Sequence, residues 1–152
     1  MDDRCDMQIQ TSRFGPVEIE PEDILLFSRG LFAFENHHHW VLLADGYNES
    51  VAWLQSLTDA EVALPLVSPR RFLPGYRVAI ARGQLTPLEM AALDQAFVFN
   101  VLNRHGDVLT INLKAPLIIN LDRRIGRQVV TSDEQPLQFA LPTTVARLRK
   151  SA

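Results

Sequence analysis

The chain has little cysteine and no long apolar run, and these shortages exclude several classes of protein. Cys5 is the only cysteine among 152 residues, so the chain can form neither an internal disulfide nor a zinc site built from its own cysteines. No apolar stretch approaches the roughly 18 residues that a membrane-spanning helix needs. The N-terminus begins with acidic residues and lacks the basic and apolar regions of a secretory signal, which predicts a cytoplasmic protein with no membrane partner.

Sequence motifs for nucleotide binding and nucleophilic catalysis are also missing. The chain has no Walker loop and no G-x-G-x-x-G, so no sequence motif for binding nucleotide phosphates is present. It also has no G-x-S-x-G motif, in which a serine would act as a nucleophile. We therefore expect no catalytic residue and no cofactor.

Three consecutive histidines, His37 to His39, precede a predicted strand that starts at Trp40. Neighbouring side chains on a strand point to opposite faces, so only His37 and His39 can approach one ion, whereas zinc needs three or four ligands. One alternative adds His105 as the third ligand and predicts a histidine-metal enzyme of barrel type. The ligand count favours an exposed loop with no metal role.

Length and hydropathy patterning predict one small β-domain over residues 1–152, with a core of about 7–130 and a polar C-terminal tail at 131–152. Short segments of alternating hydrophobicity separated by turn residues are typical of half-buried antiparallel strands. Thr86 and Pro87 predict the start of one helix. The expected fold class is all-β, a small antiparallel β-barrel-like fold with one short inserted α-helix around residues 86–95. The predicted strands cover residues 7–12, 17–20, 23–27, 40–44, 51–57, 63–68, 76–81, 97–104, 108–120 and 127–130.

Two predicted strands contain residues that are unusual in apolar strands. The first contains "WLQS" at 53–56, and the second contains "NLKAPLIIN" at 112–120. In the second strand, Lys114 must pair or extend to solvent, and Pro116 should enforce a bulge or an edge; Pro65 in another strand carries the same expectation.

These segments, with the opening hairpin and "RRIGRQVV" at 123–130, resemble the FliW family of flagellar assembly factors over about residues 14–130. The loop before the histidines departs from the family pattern, which has Pro at position 28 and a Pro-Gly turn where Phe32 and Ala33 stand. The resemblance implies a non-enzymatic regulator with a small barrel-like fold. It also implies two protein partners, the homodimeric RNA-binding translational repressor CsrA, which it antagonises, and flagellin. The partner-binding candidates are Trp53, Gln55, Ser56, Asn112, Lys114 and Pro116.

The net charge of −3 hides an asymmetry along the chain. Residues 1–61 hold twelve acidic and three basic side chains, whereas residues 62–152 hold six acidic and twelve basic ones. An acidic face placed beside an RNA-binding surface would repel phosphate, and we name four candidates for that role: Glu18, Glu20, Glu22 and Asp23. A second alternative is an RNA-binding barrel that uses the basic pairs at 70–71 and 123–124. The overall acidity argues against direct binding of nucleic acid.

Overall fold

The computed structural model describes residues 7–90 and 96–141, and most of its regular structure is β-strand. A short helix, α1, spans Arg82–Leu85 and continues into a 3-10 turn at Thr86–Leu88. Further 3-10 turns lie at Pro21–Asp23 and Pro69–Arg71. No helix among these residues is both long and apolar enough to cross a lipid bilayer. The strands are β1 Met7–Thr11, β2 Gly15–Ile19, β3 Ile24–Leu26, β4 His39–Ala44, β5 Val51–Ser56, β6 Ala63–Val67, β7 Phe97–His105, β8 Val108–Ile111, β9 Leu117–Asn120, β10 Ile125–Gln128 and β11 Phe139–Ala140.

Seven of these strands close into a barrel. Around the ring they pair in the order β7, β6, β5, β4, β3, β10 and β9, and β9 returns to pair with β7. The pairings are antiparallel except for the contact of β10 with β3, which joins Ile125 to Leu26. The predicted fold class, an all-β protein with a small and mainly antiparallel barrel, is confirmed.

The long strand β7 pairs with two strands in succession, and a bulge separates them. Leu102 faces Ile111 of β8, and Phe99 faces Leu117 of β9. Three positions separate the two β7 residues but six separate their partners, so three extra residues are accommodated between β8 and β9. Pro116 cannot donate to a ladder, and it lies at the end of this extra segment. The expected bulge or edge at Pro116 is found as this bulge, and the single strand predicted over 108–120 is divided into β8 and β9.

The hairpin of β1 and β2 forms a separate two-stranded sheet, as the sequence predicts. The hydroxyl of Thr11 closes the turn, since it donates to the Gly15 carbonyl at 2.8 Å and accepts from the Phe14 amide at 2.8 Å. Gly15 has a φ of 68°, a left-handed conformation that glycine adopts without steric cost. This turn places Phe14 against the barrel, where it packs on the first core cluster.

The core extends on both faces of the barrel wall. Neighbouring residues of β5 show this, because Trp53 belongs to a cluster with Val51 and Leu102, whereas Leu54 belongs to a cluster with Trp40. Alternation along the strand sends these side chains to opposite faces. A third cluster lies under α1 and the turn after it; its members are Leu85, Leu88, Met90, Ile118 and Val129.

The helical segment begins earlier than the sequence predicts. Thr86 follows the last residue of α1, and its hydroxyl bonds back to the Arg82 carbonyl at 3.3 Å, so it does not cap the start of a helix. Pro87 does lie in the first turn of the 3-10 segment, but Glu89 has a φ of 56° and ends that segment. Residues 91–95 of the predicted helix lie outside the described residues.

Three other expectations can be compared with the structure. Pro65 pairs with Trp53 of β5, while the pairing of β6 with β7 starts at Leu66, so the expected edge position is confirmed. The predicted strand at 76–81 is wrong, because this segment alternates in burial but is not assigned to any strand. Part of the predicted polar tail joins the sheet next to the barrel, since β11 pairs with β8 and Leu141 is buried. The segment "VARLRK" at 145–150, whose pattern is that of a terminal helical turn, lies outside the described residues.

Candidate functional site

The bulge between β8 and β9 is organised by the side chain of Asn112. Its Oδ1 accepts the backbone amides of Lys114 and Ala115, both at 3.0 Å. The carbonyl of Asn112 in turn accepts a hydrogen bond from the side-chain amide of Asn100 on β7. Asparagine favours such local turns because its oxygen lies within reach of amides two and three residues ahead.

Lys114 connects this bulge to the segment that follows β10. Its ammonium donates to the carbonyl of Thr131 at 3.0 Å and to that of Asp133 at 2.7 Å. Backbone bonds run beside it, from the Thr131 amide to the Lys114 carbonyl at 2.9 Å and from the Val129 amide to the Pro116 carbonyl at 3.0 Å. The sequence predicts that the Lys114 ammonium must pair or reach solvent, and in the structure it binds two backbone carbonyls of the same chain.

Two titratable groups lie around the bulge. The hydroxyl of Tyr76 donates to the Leu113 carbonyl at 2.9 Å, and burial raises the pKa of this phenol above its usual value. A hydrogen bond from Gln135 lowers the pKa of the Asp133 carboxyl. Near neutral pH the phenol therefore stays protonated and able to donate, and the carboxylate stays charged.

Trp53 lies beneath the turn of the β1–β2 hairpin. The Phe14 ring meets it edge-on at a centroid distance of 6.2 Å, and the Arg13 guanidinium carbon lies 3.9 Å from the centroid of the indole ring. The indole nitrogen donates to Asp45 Oδ1 at 2.9 Å. Trp53 therefore holds the hairpin on the barrel by an edge-to-face aromatic contact, a cation–π contact and burial.

Gln55 and Ser56 organise the loop from β5 to β6. Gln55 is fully buried, and its amide nitrogen lies 3.0 to 3.4 Å from the carbonyls of residues 56, 59, 60 and 62. The Ser56 hydroxyl oxygen accepts the amides of Thr58 at 3.0 Å and Asp59 at 3.2 Å. Both side chains are committed to the shape of this loop.

The three histidines differ from one another in their surroundings. His37 is half-buried, its Nδ1 lies 2.8 Å from the Ser56 hydroxyl, and its ring packs against those of Phe34 and Trp40. The expectation of an exposed loop is wrong for His37, and sequence spacing gave no signal of a contact across 19 positions. His38 and His39 are exposed as expected.

The histidine-metal alternative gains no support from this geometry. Nδ1 of His37 lies 2.8 Å from Ser56 Oγ, which also accepts two backbone amides, so this ring nitrogen is engaged within the chain. Across residues 7–90 and 96–141, no group of three or more His, Cys, Asp and Glu side chains is arranged to hold a metal ion.

The predicted acidic residues follow one another from β2 into the first 3-10 turn, and we call them the acidic ridge: Glu18, Glu20, Glu22 and Asp23. Three of them are exposed, and Glu20 is half-buried. Glu18 and Glu20 flank the buried Ile19, so both point away from the core. The Asp23 carboxylate accepts the Glu20 amide at 2.9 Å, which fixes the turn.

The chain is similar to known proteins in both sequence and fold. The model of the FliW protein family matches residues 8–141 of this chain. The chain belongs to the FliW family. The flagellar assembly factor FliW of Bdellovibrio bacteriovorus is 40% identical over 129 residues, which are 84% of this chain and 74% of that protein. The FliW of Lachnoclostridium phytofermentans is 37% identical over 132 residues, or 84% of this chain and 85% of that protein.

The fold agrees with this assignment. A crystal structure of the flagellar assembly factor FliW matches with a TM-score of 0.82 and 26% identity, and the match covers 90% of this chain and 98% of that one. The resemblance inferred from the sequence is confirmed. Membership in the FliW family makes this chain a flagellar assembly factor, and these relatives are named for that regulatory role and not for a reaction.

Membership in the FliW family leaves the individual site residues as predictions. The side chains of Trp53, Gln55 and Ser56 are buried, Pro116 is buried, and Asn112 and Lys114 are half-buried with their polar atoms bonded within the chain. The structure brings Asn112, Lys114 and Pro116 together in the bulge, and Trp53, Gln55 and Ser56 along β5. If these residues contribute to partner binding, they do so by holding the backbone and neighbouring side chains in place and not by direct polar contacts.

Proposed function

We propose that this FliW-family protein binds the RNA-binding repressor CsrA and flagellin, and that it antagonises CsrA when flagellin does not occupy it. Flagellin that remains in the cell then competes for the protein, and flagellin that is exported releases it. The level of unexported flagellin thereby controls translation of flagellin messenger RNA.

The observation that supports antagonism of an RNA-binding protein is the acidic ridge. The four carboxylates of the ridge lie within one segment of six residues, and none of the four side chains is buried in the core. A repressor that binds RNA carries a basic surface for phosphate, and a ridge bound beside that surface adds repulsion. Such repulsion acts over about 8 Å at physiological ionic strength, so the ridge must lie close to the RNA path.

The partner assignment is tested by mixing the purified protein with CsrA and with flagellin from the same organism. Size-exclusion chromatography and calorimetry should detect a complex with each partner, and flagellin should displace CsrA. If neither partner forms a complex at micromolar concentrations, the proposal is wrong.

The role of the ridge is tested separately with the variant Glu18→Gln, Glu20→Gln, Glu22→Gln and Asp23→Asn. The amide introduced by Asp23→Asn keeps an oxygen that can accept the Glu20 backbone N–H, so the turn should survive. We expect the variant to bind CsrA but to need about fivefold more protein to displace half of the RNA, which corresponds to about 1 kcal/mol for the four surface carboxylates together. The matched control neutralises four exposed carboxylates elsewhere: Glu49, Glu61, Asp122 and Glu134. Equal displacement by wild type and ridge variant would exclude the repulsion mechanism.

A further inference from the structure

A groove of about 150 Å³ lies where the loop after β3 meets β10 and the start of α1. Its wall includes the guanidinium-bearing residues Arg29 and Arg127 and the apolar residues Phe32 and Val130. No acidic residue is among the described residues that line it. We call it the arginine groove.

The walls of the arginine groove are fixed by hydrogen bonds. Gln128 accepts the Phe32 amide on its Oε1 at 2.9 Å and donates from its Nε2 to the Ala115 carbonyl at 3.1 Å. Gln84 donates to the Val130 carbonyl at 3.3 Å. The groove is therefore joined to the barrel and to the bulge, and a ligand need not first order it.

The loop exposes an aromatic side chain at the edge of this groove. Phe32 is 50% exposed and Val130 is 44% exposed, whereas their neighbours Leu31 and Val129 are buried. The residue after Phe32, Ala33, has a φ of 73°, which costs a residue with a Cβ about 1 kcal/mol or more. Aromatic side chains that stand clear of the core are frequent anchors of protein interfaces.

The charge of the groove is opposite to that of the chain as a whole. The chain has a net charge of −3, but the charged residues lining the groove, within the part of the chain that the structure describes, are two arginines. Among residues 7–90 and 96–141, neither Arg29 nor Arg127 has a carboxylate within ion-pair distance. Two guanidinium groups beside a small apolar recess fit a ligand that carries carboxylates next to an apolar side chain.

We propose that the arginine groove binds an extended acidic peptide segment of a partner protein. One apolar side chain of the segment lies between Phe32 and Val130, and its flanking carboxylates pair with Arg29 and Arg127. This inference goes beyond the proposed function, because it holds whichever protein supplies the segment. RNA is the less favoured occupant, since its affinity depends on many phosphate contacts and the net charge of the chain opposes a polyanion.

The test uses fluorescein-labelled decapeptides and fluorescence anisotropy with the full chain at low salt. The acidic set has glutamate around a central Leu, Ile, Met or Phe, and the matched set has glutamine in place of every glutamate. We expect at least one acidic peptide to bind saturably, with an affinity at least about tenfold above that of its glutamine counterpart and reduced by added salt.

Variants locate the binding within the protein. Arg29→Gln with Arg127→Gln should weaken the acidic peptide by about tenfold, and Phe32→Ser should weaken both peptide sets while its backbone amide keeps the bond to Gln128. Arg70→Gln removes an exposed arginine outside the groove and should leave the affinity unchanged. Thermal unfolding of each variant verifies that it is folded.

Three results would overturn the proposal. They are the absence of saturable binding by every acidic peptide up to millimolar concentration, equal binding of the acidic and glutamine sets, and unchanged affinity in the folded double arginine variant. A single-stranded RNA oligonucleotide that binds more tightly than every acidic peptide, and loses that binding in the double arginine variant, would assign the groove to RNA instead.

Discussion

Replacing Lys114 with Met distinguishes a structural role from a role in partner contact. Methionine keeps most of the length and apolar packing of the lysine stem but removes the ammonium. The variant therefore loses the two bonds from Nζ to the carbonyls of Thr131 and Asp133, at 3.0 and 2.7 Å. The backbone bond from the Thr131 amide to the carbonyl of residue 114 does not depend on the side chain.

The expected loss follows from these two bonds. A hydrogen bond with a charged donor contributes about 1.5–3 kcal/mol to stability. Lys114 is only half-buried, so water can reach part of the vacated space and recover some of that energy. Two such bonds would contribute about 3–6 kcal/mol, and we expect the free energy of unfolding to fall by about 3 kcal/mol, the lower end of that range.

Urea denaturation followed by tryptophan fluorescence measures this loss, and Arg70→Met is the control because Arg70 is exposed. If Lys114 is structural, the midpoint should fall without a change in the slope, and the folded variant should bind the two proposed partners, CsrA and flagellin, as tightly as wild type does. A loss below about 0.5 kcal/mol would refute the reasoning from the two bonds, and weaker partner binding at unchanged stability would identify Lys114 as a contact residue.

Three further substitutions test other features, each by urea denaturation. Ala33→Gly should raise the free energy of unfolding by about 0.5–1 kcal/mol, because glycine accepts the φ of 73° without strain; a lower stability would contradict it. Gly126→Ala should cost about 1–3 kcal/mol, since the added Cβ would overlap the ring of Phe27; a neutral result would mean that this ring moves aside freely. Tyr76→Phe should cost about 1–2 kcal/mol by leaving the Leu113 carbonyl without its donor. The raised pKa of Tyr76 stabilises the fold fully below pH 10 and less as pH rises through the folded value, so only wild type should lose this contribution in alkali.

The strands of the barrel were predictable because each carries its pattern locally. Alternation around Ile9 and Val17, with a glycine turn between them, fixes the first hairpin without knowledge of the rest of the fold. The predicted bulge at Pro116 is equally local, since a residue without an amide proton interrupts any ladder. These features need only the chemistry of neighbouring residues.

The errors arose where the outcome depends on distant residues. Thr86 has the residue type of a helix cap, but the preceding turn of helix exists because Leu85 is buried against the barrel. The segment from Tyr76 to Ile80 alternates because one face is buried, yet it pairs with no strand among the described residues. Burial produces the period of two whether or not a ladder forms.

The sequence singled out residues that are unusual in apolar strands, but it did not predict where their side chains point. The sequence marked Lys114 and Gln55 as unusual in apolar strands, and the structure gives the reason: each binds carbonyls within the chain. The arginine groove had no signal in the sequence, because Arg29 and Arg127 lie far apart along the chain and meet only when the barrel closes.

The bonds of Lys114 also bear on the order in which the chain matures during synthesis. The ribosome makes β8 and the bulge before it makes residues 131–133, whose carbonyls hold the ammonium, and before β11, which covers β8. A nascent chain that has just completed β10 therefore carries a charged lysine without its acceptors and an edge of β8 without its neighbour. Such an intermediate should be most exposed to proteases and to association with other nascent chains. The sheet edge at β8 in this flagellar assembly factor is therefore covered only when the last strand that the structure describes has been made.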